Sequence, residues 1–157
     1  CGWMCISGDK SRAKGYIEGI NLLSSMRLCA NVPTQSVIPK ALEMLDSTKE
    51  MLEPGGRVYE QREYIYNALN DIPGVSAVKP EAAFYIFPKM DMKKFHIKDD
   101  EKFALDFLKK KKILVTHGGG FHWNTPDHFR IVYLPDVDTL TEACSRMKDF
   151  FAHYVQD

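Results

Sequence analysis

The sequence predicts an α/β fold in which helices cover a small sheet, and two features of its hydrophobic pattern indicate this. The last segment has apolar residues at helical spacing, which predicts a long closing helix capped by Asp136 or Asp138. The middle of the chain instead has short apolar runs bounded by Pro and Gly, which is typical of strands. Since helices flank this β-rich middle, their apolar sides are expected to pack on the sheet. The apolar stripe of the closing helix consists of Leu140, Ala143, Cys144, Met147, Phe150, Phe151 and Tyr154.

The first part of the chain is predicted to be mainly helical. Residues 2–7 favour a short buried strand, and residues 15–29 have the apolar spacing of a helix. Pro33 disfavours helical geometry at the residue before it, so it is expected to end this helix. Thr34 is predicted to cap a second helix that runs to about Leu45.

A third helix is predicted after Pro54, because proline suits the first turn of a helix. The helix is expected to end at Pro73-Gly74, a pair that disfavours its continuation. Its predicted apolar stripe consists of Val58, Ile65, Leu69 and Ile72, with the aliphatic stem of Arg62.

Short strands and one further helix are predicted in the middle of the chain. Asp99 or Asp100 is expected to cap that helix, and the run Lys109–Lys112 suits its C-terminal end because positive charge is favourable there. We interpret the lysine run as a solvated helix end rather than a nucleic-acid patch. The predicted strands cover residues 75–78, 84–87, 113–115 and 129–134.

Composition and charge exclude several functional classes. Hydrophobic residues make up 45% and charged residues 27% of the 157 residues, the balance of an ordinary globular domain. The 21 Lys and Arg equal the 21 Asp and Glu, which argues against a nucleic-acid or anionic-membrane binder. No apolar run is long enough to span a bilayer. The start, Cys1-Gly2-Trp3-Met4, has neither an initiator Met nor a signal segment, so we expect a fragment of a larger protein.

The cysteine pattern does not indicate a metal site or a disulfide framework. Cys1, Cys5, Cys29 and Cys144 include no CxxC pair. Cys29 and Cys144 lie among apolar residues on predicted helices. We therefore expect small buried apolar side chains in a reducing compartment rather than zinc ligands.

A glycine loop, His117–Phe121, invites two functional hypotheses that the rest of the sequence does not support. It is similar to the oxyanion-hole loop of lipases, but those enzymes need a Gly-x-Ser-x-Gly elbow, and the nearest candidate, residues 74–78, lacks the second glycine. His117, His122 and His128 are spaced by five and six residues, which fits no familiar metal motif. We expect loop histidines near a polar pocket.

Arg130 is the most informative single residue, because it lies in an otherwise apolar predicted strand. Alternation places it on one face with Val132 and Leu134, which predicts a core-like environment. A buried arginine needs a carboxylate or phosphate partner, since an unpaired buried charge is very costly. The residues alone leave open whether that partner is an internal carboxylate or a ligand.

Taken together, five segments in this order resemble the class I/II aminotransferases of fold type I. The resemblance covers nearly the whole chain and is strongest to the bacterial alanine (glutamate–pyruvate) transaminases. The segments are residues 27–35 (RLCANVPTQ), 54–62 (PGGRVYEQR), 80–87 (PEAAFYIF), the glycine loop with Phe121, and the strand with Arg130.

The resemblance implies a fold and a division into domains. Residues 33–157 are expected to form the small, C-terminal domain of such an enzyme, with a short mixed or antiparallel sheet covered by helices. Residues 1–32 are expected to be a strand–helix remnant of the large domain that binds pyridoxal phosphate. The implied parent is a cytoplasmic homodimer that uses a small-molecule amino acid and a 2-oxo acid, with no nucleic-acid or membrane partner.

The resemblance also assigns roles to residues. Arg130 matches the arginine that clamps the substrate α-carboxylate, and Gly118 and Phe121 match the loop that lines the substrate pocket. The family's Schiff-base lysine, phosphate-binding arginine and pyridinium-pairing aspartate fall upstream of Cys1. No catalytic, cofactor-binding or metal-binding residue is therefore expected in this chain. Alone it is expected to be inactive, without bound pyridoxal phosphate.

Two departures from the family pattern and three alternatives accompany this interpretation. His117 stands where the family usually has Pro, and Ala82 where it often has Gly, which puts loop shape and substrate preference in doubt. The alternatives are an aspartate aminotransferase, an aromatic aminotransferase, or a non-catalytic domain of the same fold.

Overall fold

The structure is a computed structural model that describes residues 2–157, and it divides into two compact units. The first unit extends to Thr48, and the second is Lys49–Asp157. The boundary predicted after residue 32 concerns the domains of a longer parent and stays a prediction. Among the described residues, no helix combines the length and apolar character needed to cross a membrane.

The first unit is helical, and its helices bury no residues. The predicted strand over residues 2–7 is wrong, because this segment is exposed and without regular structure. A strand needs a neighbour for its backbone groups, and the described part of the chain shows no pairing for it. The helices are α1 (Lys14–Met26), α2 (Val32–Ser36), α3 (Ile38–Glu43) and α4 (Leu45–Glu50), the last of which crosses the division at residue 48.

The predicted second helix, from Thr34 to about Leu45, is replaced by the two short helices α2 and α3, and α4 follows where no helix was predicted. Asn31, not Thr34, caps α2, and its side chain accepts a hydrogen bond from the Thr34 N–H at 3.0 Å. Pro33 therefore lies in the first turn of α2, where its missing N–H costs nothing. It begins a helix and does not end α1, which already ends at Met26.

The second unit contains four helices, five short strands and a 3₁₀ turn, Gly118–Phe121, called the glycine turn below. The helices are α5 (Arg57–Asn70), α6 (Met92–Phe95), α7 (Asp100–Lys111) and α8 (Val137–His153). The strands are β1 (Val75–Ser76), β2 (Tyr85–Ile86), β3 (Lys89–Met90), β4 (Thr116–His117) and β5 (Phe129–Val132).

Two antiparallel sheets form, as the predicted fold class requires. β1 pairs with β3, with Val75 opposite Met90. In the other sheet β5 lies between β2 and β4, so that Tyr85 faces Val132 and Thr116 faces Arg130. This places segments from three separate parts of the chain side by side.

Two predicted boundaries are wrong for local reasons. The third helix begins at Arg57 rather than Pro54, and its cap is Gly56, where a Cβ would lie 2.2 Å from the Glu50 carbonyl oxygen. Residues 113–115 do not form a buried strand, since Leu114 is 79% exposed and the strand β4 begins only at Thr116. A three-residue apolar run gives too little pattern to fix where pairing begins.

The helix caps and the core of the second unit follow the sequence closely. Asp99 caps α7 by accepting from the Lys102 N–H at 2.9 Å, and Asp136 caps α8 by accepting from the Thr139 N–H at 2.7 Å. The predicted stripe of α8 supplies buried residues against α5 and α7. Those residues are Leu140, Cys144, Met147, Phe150 and Phe151.

The cysteines behave differently from one another. Burial raises the pKa of the Cys144 thiol to about 11, so it remains protonated and packs as a small apolar group. Cys5 and Cys29 are exposed. The prediction that Cys29 is buried is wrong because α1 ends at Met26 and the helices of its unit bury no residues. Cys1 lies outside the described residues.

Gly74 is expected to tolerate substitution poorly. Its φ is +92°, and a Cβ there would lie 2.7 Å from Cζ of the buried Phe95. Gly55, with φ +89° and no atom within 4 Å of an added Cβ, is a matched control. Gly55→Ala should cost about 1 kcal/mol from backbone strain, and Gly74→Ala about 2–4 kcal/mol, since overpacking is added. Urea unfolding measures both, and equal losses would contradict this packing.

Candidate functional site

Arg130 lies on the open side of the central strand β5, which corrects the core-like environment predicted for it. The inward residues are Phe129 and Tyr133, at 0% and 1% exposed, whereas Val132 and Leu134 on the side of Arg130 are 44% and 38% exposed. Arg130 itself is half-buried. The inward and outward faces of β5 are thus the reverse of those predicted. Arg130 lies on the outward face with Val132 and Leu134.

Two aromatic rings hold the Arg130 guanidinium between them. Its Cζ lies 4.4 Å from the centroid of the Tyr85 ring and 4.2 Å from that of the Phe121 ring. Tyr85 comes from the neighbouring strand β2, and Phe121 from the glycine turn. Cation–π attraction and the flat faces favour one orientation of the guanidinium plane.

The arginine has no acidic partner among the residues that the structure describes. None of the ion pairs there includes Arg130. Its Nε is buried and makes no hydrogen bond. The alternative of an internal ion pair therefore fails for this part of the chain. A half-buried guanidinium without a partner, on the open side of the strand, is suited to bind an external carboxylate through two parallel hydrogen bonds.

The first two backbone N–H groups of the glycine turn are both hydrogen-bonded and so anchor it. The Gly118 N–H donates to the His128 carbonyl at 2.9 Å, and the Gly119 N–H donates to Asp100 Oδ2 at 2.6 Å. A Cβ on Gly118 would lie 2.9 Å from that same carbonyl oxygen, so a larger residue would displace the turn. Gly118 thus permits the close approach that brings Phe121 to Arg130.

This anchoring also argues against the hydrolase hypothesis. An oxyanion hole needs free N–H groups, whereas those of Gly118 and Gly119 are already bonded. Ser76 lies in β1, paired with β3, and not at a strand-to-helix elbow. Within residues 2–157, no group of three or more His, Cys, Asp or Glu side chains is placed to hold a metal ion. His117 Nδ1 lies 3.4 Å from Asp100 Oδ1 without making a hydrogen bond.

A buried carboxylate beside the glycine turn was not found from sequence. Asp127 is 5% exposed and accepts hydrogen bonds from Trp123 Nε1 at 3.0 Å and His128 Nδ1 at 2.6 Å. Burial raises the pKa of Asp127, but the His128 and Trp123 hydrogen bonds lower it, and the net pKa is below its ordinary value. In the sequence, Asp127 follows Pro126 and looks like a turn residue, so no local signal marks it.

The cleft beside Arg130 does not by itself fit pyridoxal phosphate. Its volume is about 290 Å³, and apart from Arg130 its lining is apolar, with two threonines and the protonated Cys144. It contains no lysine for a Schiff base, no second cation for a phosphate and no carboxylate for a pyridinium nitrogen. Neither Tyr85 nor Phe121 lines this cleft, so it is distinct from the space between the two rings beside Arg130.

Comparison with known proteins shows which class of protein this chain resembles. No protein-family model matches the chain. In a crystal structure of an aminotransferase from Escherichia coli, the matching part is 52% identical with a TM-score of 0.85, covering 96% of this chain and 37% of that one. The chain is therefore similar in sequence and fold to part of an aminotransferase, as the resemblance implied.

Two similar proteins are aminotransferases with alanine or glutamate and pyruvate in their names. The glutamate-pyruvate aminotransferase AlaA of Haemophilus influenzae is 52% identical over 155 residues, covering 99% of this chain and 38% of the relative. An alanine aminotransferase of Mycobacterium bovis is 48% identical, covering 99% of this chain and 36% of the relative. The chain is similar to part of the alanine and glutamate–pyruvate aminotransferases and spans somewhat more than a third of their length.

The lowered pKa of Asp127 predicts an acid-sensitive contribution to stability. A carboxylate whose pKa is lowered in the fold stabilises it above the unfolded pKa of about 3.9, and this contribution is lost as the pH falls through the folded pKa. Asp127→Asn should therefore cost about 1–3 kcal/mol near neutral pH. The difference from wild type should shrink below about pH 4. Urea unfolding at several pH values tests this, and a pH-independent difference would contradict it.

Proposed function

We propose that this chain is the C-terminal part of an enzyme that transfers an amino group between an L-amino acid of the alanine or glutamate type and a 2-oxo acid. The observation that carries the proposal is the unpaired Arg130 guanidinium held between Tyr85 and Phe121. The names and identities of the relatives support the choice of substrates. We propose pyridoxal phosphate as the cofactor of the full-length protein on the same family grounds.

Arg130 would bind the substrate α-carboxylate. A planar guanidinium binds the two carboxylate oxygens through parallel N–H···O bonds, which fixes the position and the rotation of the amino acid. The flanking rings reduce water access and so strengthen this attraction. Since the amino acid and the 2-oxo acid both carry an α-carboxylate, one arginine can serve both halves of the reaction.

Phe121 and Gly118 have different parts in this proposal. Phe121 is 43% exposed and presents its ring to Arg130, so it would line the carboxylate subsite. Gly118 would shape the subsite by allowing the tight turn, because its own N–H is already bonded to His128. Tyr85, which was not predicted from sequence, forms the opposite wall of the subsite.

No chemical step is assigned to the residues of this chain. Under the resemblance, the lysine, the phosphate-binding arginine and the pyridinium-pairing aspartate precede Cys1, and the cleft beside Arg130 contains no equivalents. The chain's contribution would be to bind and orient the substrate so that its Cα faces the reacting group. We further propose, from the family alone, that the full-length protein is a cytoplasmic homodimer.

The alternatives predict different behaviour at the same site. Aspartate and aromatic aminotransferases would use the same α-carboxylate clamp, so Arg130 does not separate them from the proposed enzyme. An aspartate aminotransferase of Bacillus subtilis is 36% identical over only 75% of this chain, against 99% for the alanine enzymes. This favours alanine- or glutamate-type substrates. A non-catalytic domain of this fold would need no free carboxylate-binding arginine.

The central test is Arg130→Lys in a full-length aminotransferase that contains this sequence. Lysine keeps the charge but loses the two-pronged geometry, so kcat/KM for L-alanine and pyruvate should fall while the cofactor stays bound. A loss of about 2–5 kcal/mol corresponds to roughly a 30- to several-thousand-fold decrease. Steady-state kinetics and the visible absorption of the cofactor measure both quantities on one preparation.

Arg62→Lys is a matched control for this test. Arg62 also lies over an aromatic ring, with its Cζ 5.1 Å from the Tyr59 centroid, but its NH2 group already pairs with Glu63 at 3.2 Å. This substitution should change stability modestly and leave kcat/KM near normal. If Arg130→Lys lowers the melting temperature but not kcat/KM, the clamp proposal is wrong.

A further inference from the structure

The hydrogen bonds that anchor the glycine turn involve its backbone and not the side chain of Phe121. The three residues before it are Gly118, Gly119 and Gly120, and glycine loses more conformational freedom on folding than any other residue. Its ring nevertheless lies 4.2 Å from Arg130 Cζ while remaining 43% exposed. Ring contacts from outside the turn are therefore the candidates for holding the ring against Arg130.

Phe87 provides this packing. Its ring meets Phe121 nearly edge-on, with centroids 6.4 Å apart and an interplanar angle of 83°. Phe87 follows β2 and is two residues beyond Tyr85, the other wall of the Arg130 site. One short segment thus carries Tyr85, which contacts the guanidinium directly, and Phe87, which supports the opposite ring.

Phe87 is fixed in turn by two further rings. It stacks on His128 with centroids 4.8 Å apart and an angle of 26°, and it contacts Trp123 edge-on at 5.6 Å. Trp123 and His128 also contact each other, with centroids 4.6 Å apart. Such aromatic pairs contribute beyond their buried area because their edges and faces attract.

The Asp127 carboxylate locks these rings at their polar edges. Its Oδ1 accepts from both Trp123 Nε1 and His128 Nδ1, and Lys89 Nζ lies 3.5 Å from its other oxygen. The backbone joins the same assembly to the turn, because the His128 carbonyl accepts from the Gly118 N–H. Purely apolar residues could fill this space without the desolvation cost of a carboxylate. The carboxylate does fix the orientation of two rings at once.

We infer that Phe87, Trp123, Asp127 and His128, together called the brace, position Phe121 against Arg130 and so set the geometry of the carboxylate clamp. None of the four touches the guanidinium in the contacts described above; the brace acts through Phe121. The inference rests on the proposed function of Arg130. It predicts that loosening the brace weakens substrate binding through Arg130, beyond any effect on stability.

Kinetics of a full-length aminotransferase that contains this sequence test the brace. Phe87→Leu removes the ring contacts but keeps an apolar side chain, and His128→Gln keeps a donor for Asp127 but removes the stack. Each should lower kcat/KM for L-alanine and for pyruvate by about two- to tenfold, mainly through a higher KM. Phe150→Leu is the matched control, since Phe150 packs among Phe103, Phe107, Phe151 and Tyr154 on a different set of rings. It should lower the melting temperature without changing KM.

A double-mutant cycle shows whether the effect passes through Arg130. In an Arg130→Lys background, Phe87→Leu should cause little further loss, because the geometry it supports is already gone. If Phe87→Leu leaves KM unchanged in the wild-type background, or acts equally in both backgrounds, the brace inference is wrong even where Arg130→Lys confirms the clamp. If Arg130→Lys itself leaves kcat/KM normal, the clamp proposal fails and the inference fails with it. Phe87 is only half-buried, so Phe87→Leu is expected to fold. Its kinetics therefore test the brace even if His128→Gln does not fold.

Discussion

The pairing of β5 with both β2 and β4 is the constraint on which the site depends. Each partner strand is only two residues long. The register nevertheless places Thr116 opposite Arg130 and Tyr85 opposite Val132, which makes Tyr85 a diagonal neighbour of Arg130. β2 carries Tyr85, one wall of the site. β4 leads directly into the glycine turn, which carries Phe121, the other wall. Because the helices α5, α7 and α8 bury Phe129 and Tyr133 on the inner side of β5, Arg130 has to face outward.

The parts of the fold that sequence predicted well are those specified by local chemistry. The cap and stripe of α8 and the Asp99 cap of α7 depend on residues within a few positions of each other, and the structure confirms them. The short strands and the three pieces α2 to α4 were predicted poorly. Their limits depend on pairing and packing partners that are distant in sequence, so a run such as residues 113–115 gives no reliable boundary.

In the candidate site, too, residues marked by local sequence were predicted and residues that depend on distant partners were not. Arg130 was identified because a charge in an apolar strand is conspicuous, and Phe121 because it matches a family motif. The alternation was nevertheless assigned to the wrong face, since Val132 and Leu134 are apolar residues left partly exposed. Tyr85, Phe87 and Asp127 were missed, because the roles proposed for them depend on contacts that form only when β2, the glycine turn and β5 come together. Nothing within their own segments distinguishes them from ordinary strand and turn residues.

An arginine without an acidic partner is costly to keep in a half-buried position, and the choice of neighbours explains how the fold tolerates it. An Asp or Glu in place of Tyr85 or Phe121 would satisfy the guanidinium, but it would also compete with any incoming carboxylate for the same N–H donors. Aromatic faces attract the cation without occupying those donors. The site therefore gives up the stability of an internal ion pair and gains an available, oriented guanidinium. That requires rings held firmly in place, and at Phe121 the hydrogen bonds of the glycine turn hold only the backbone, so the neighbouring rings supply this support.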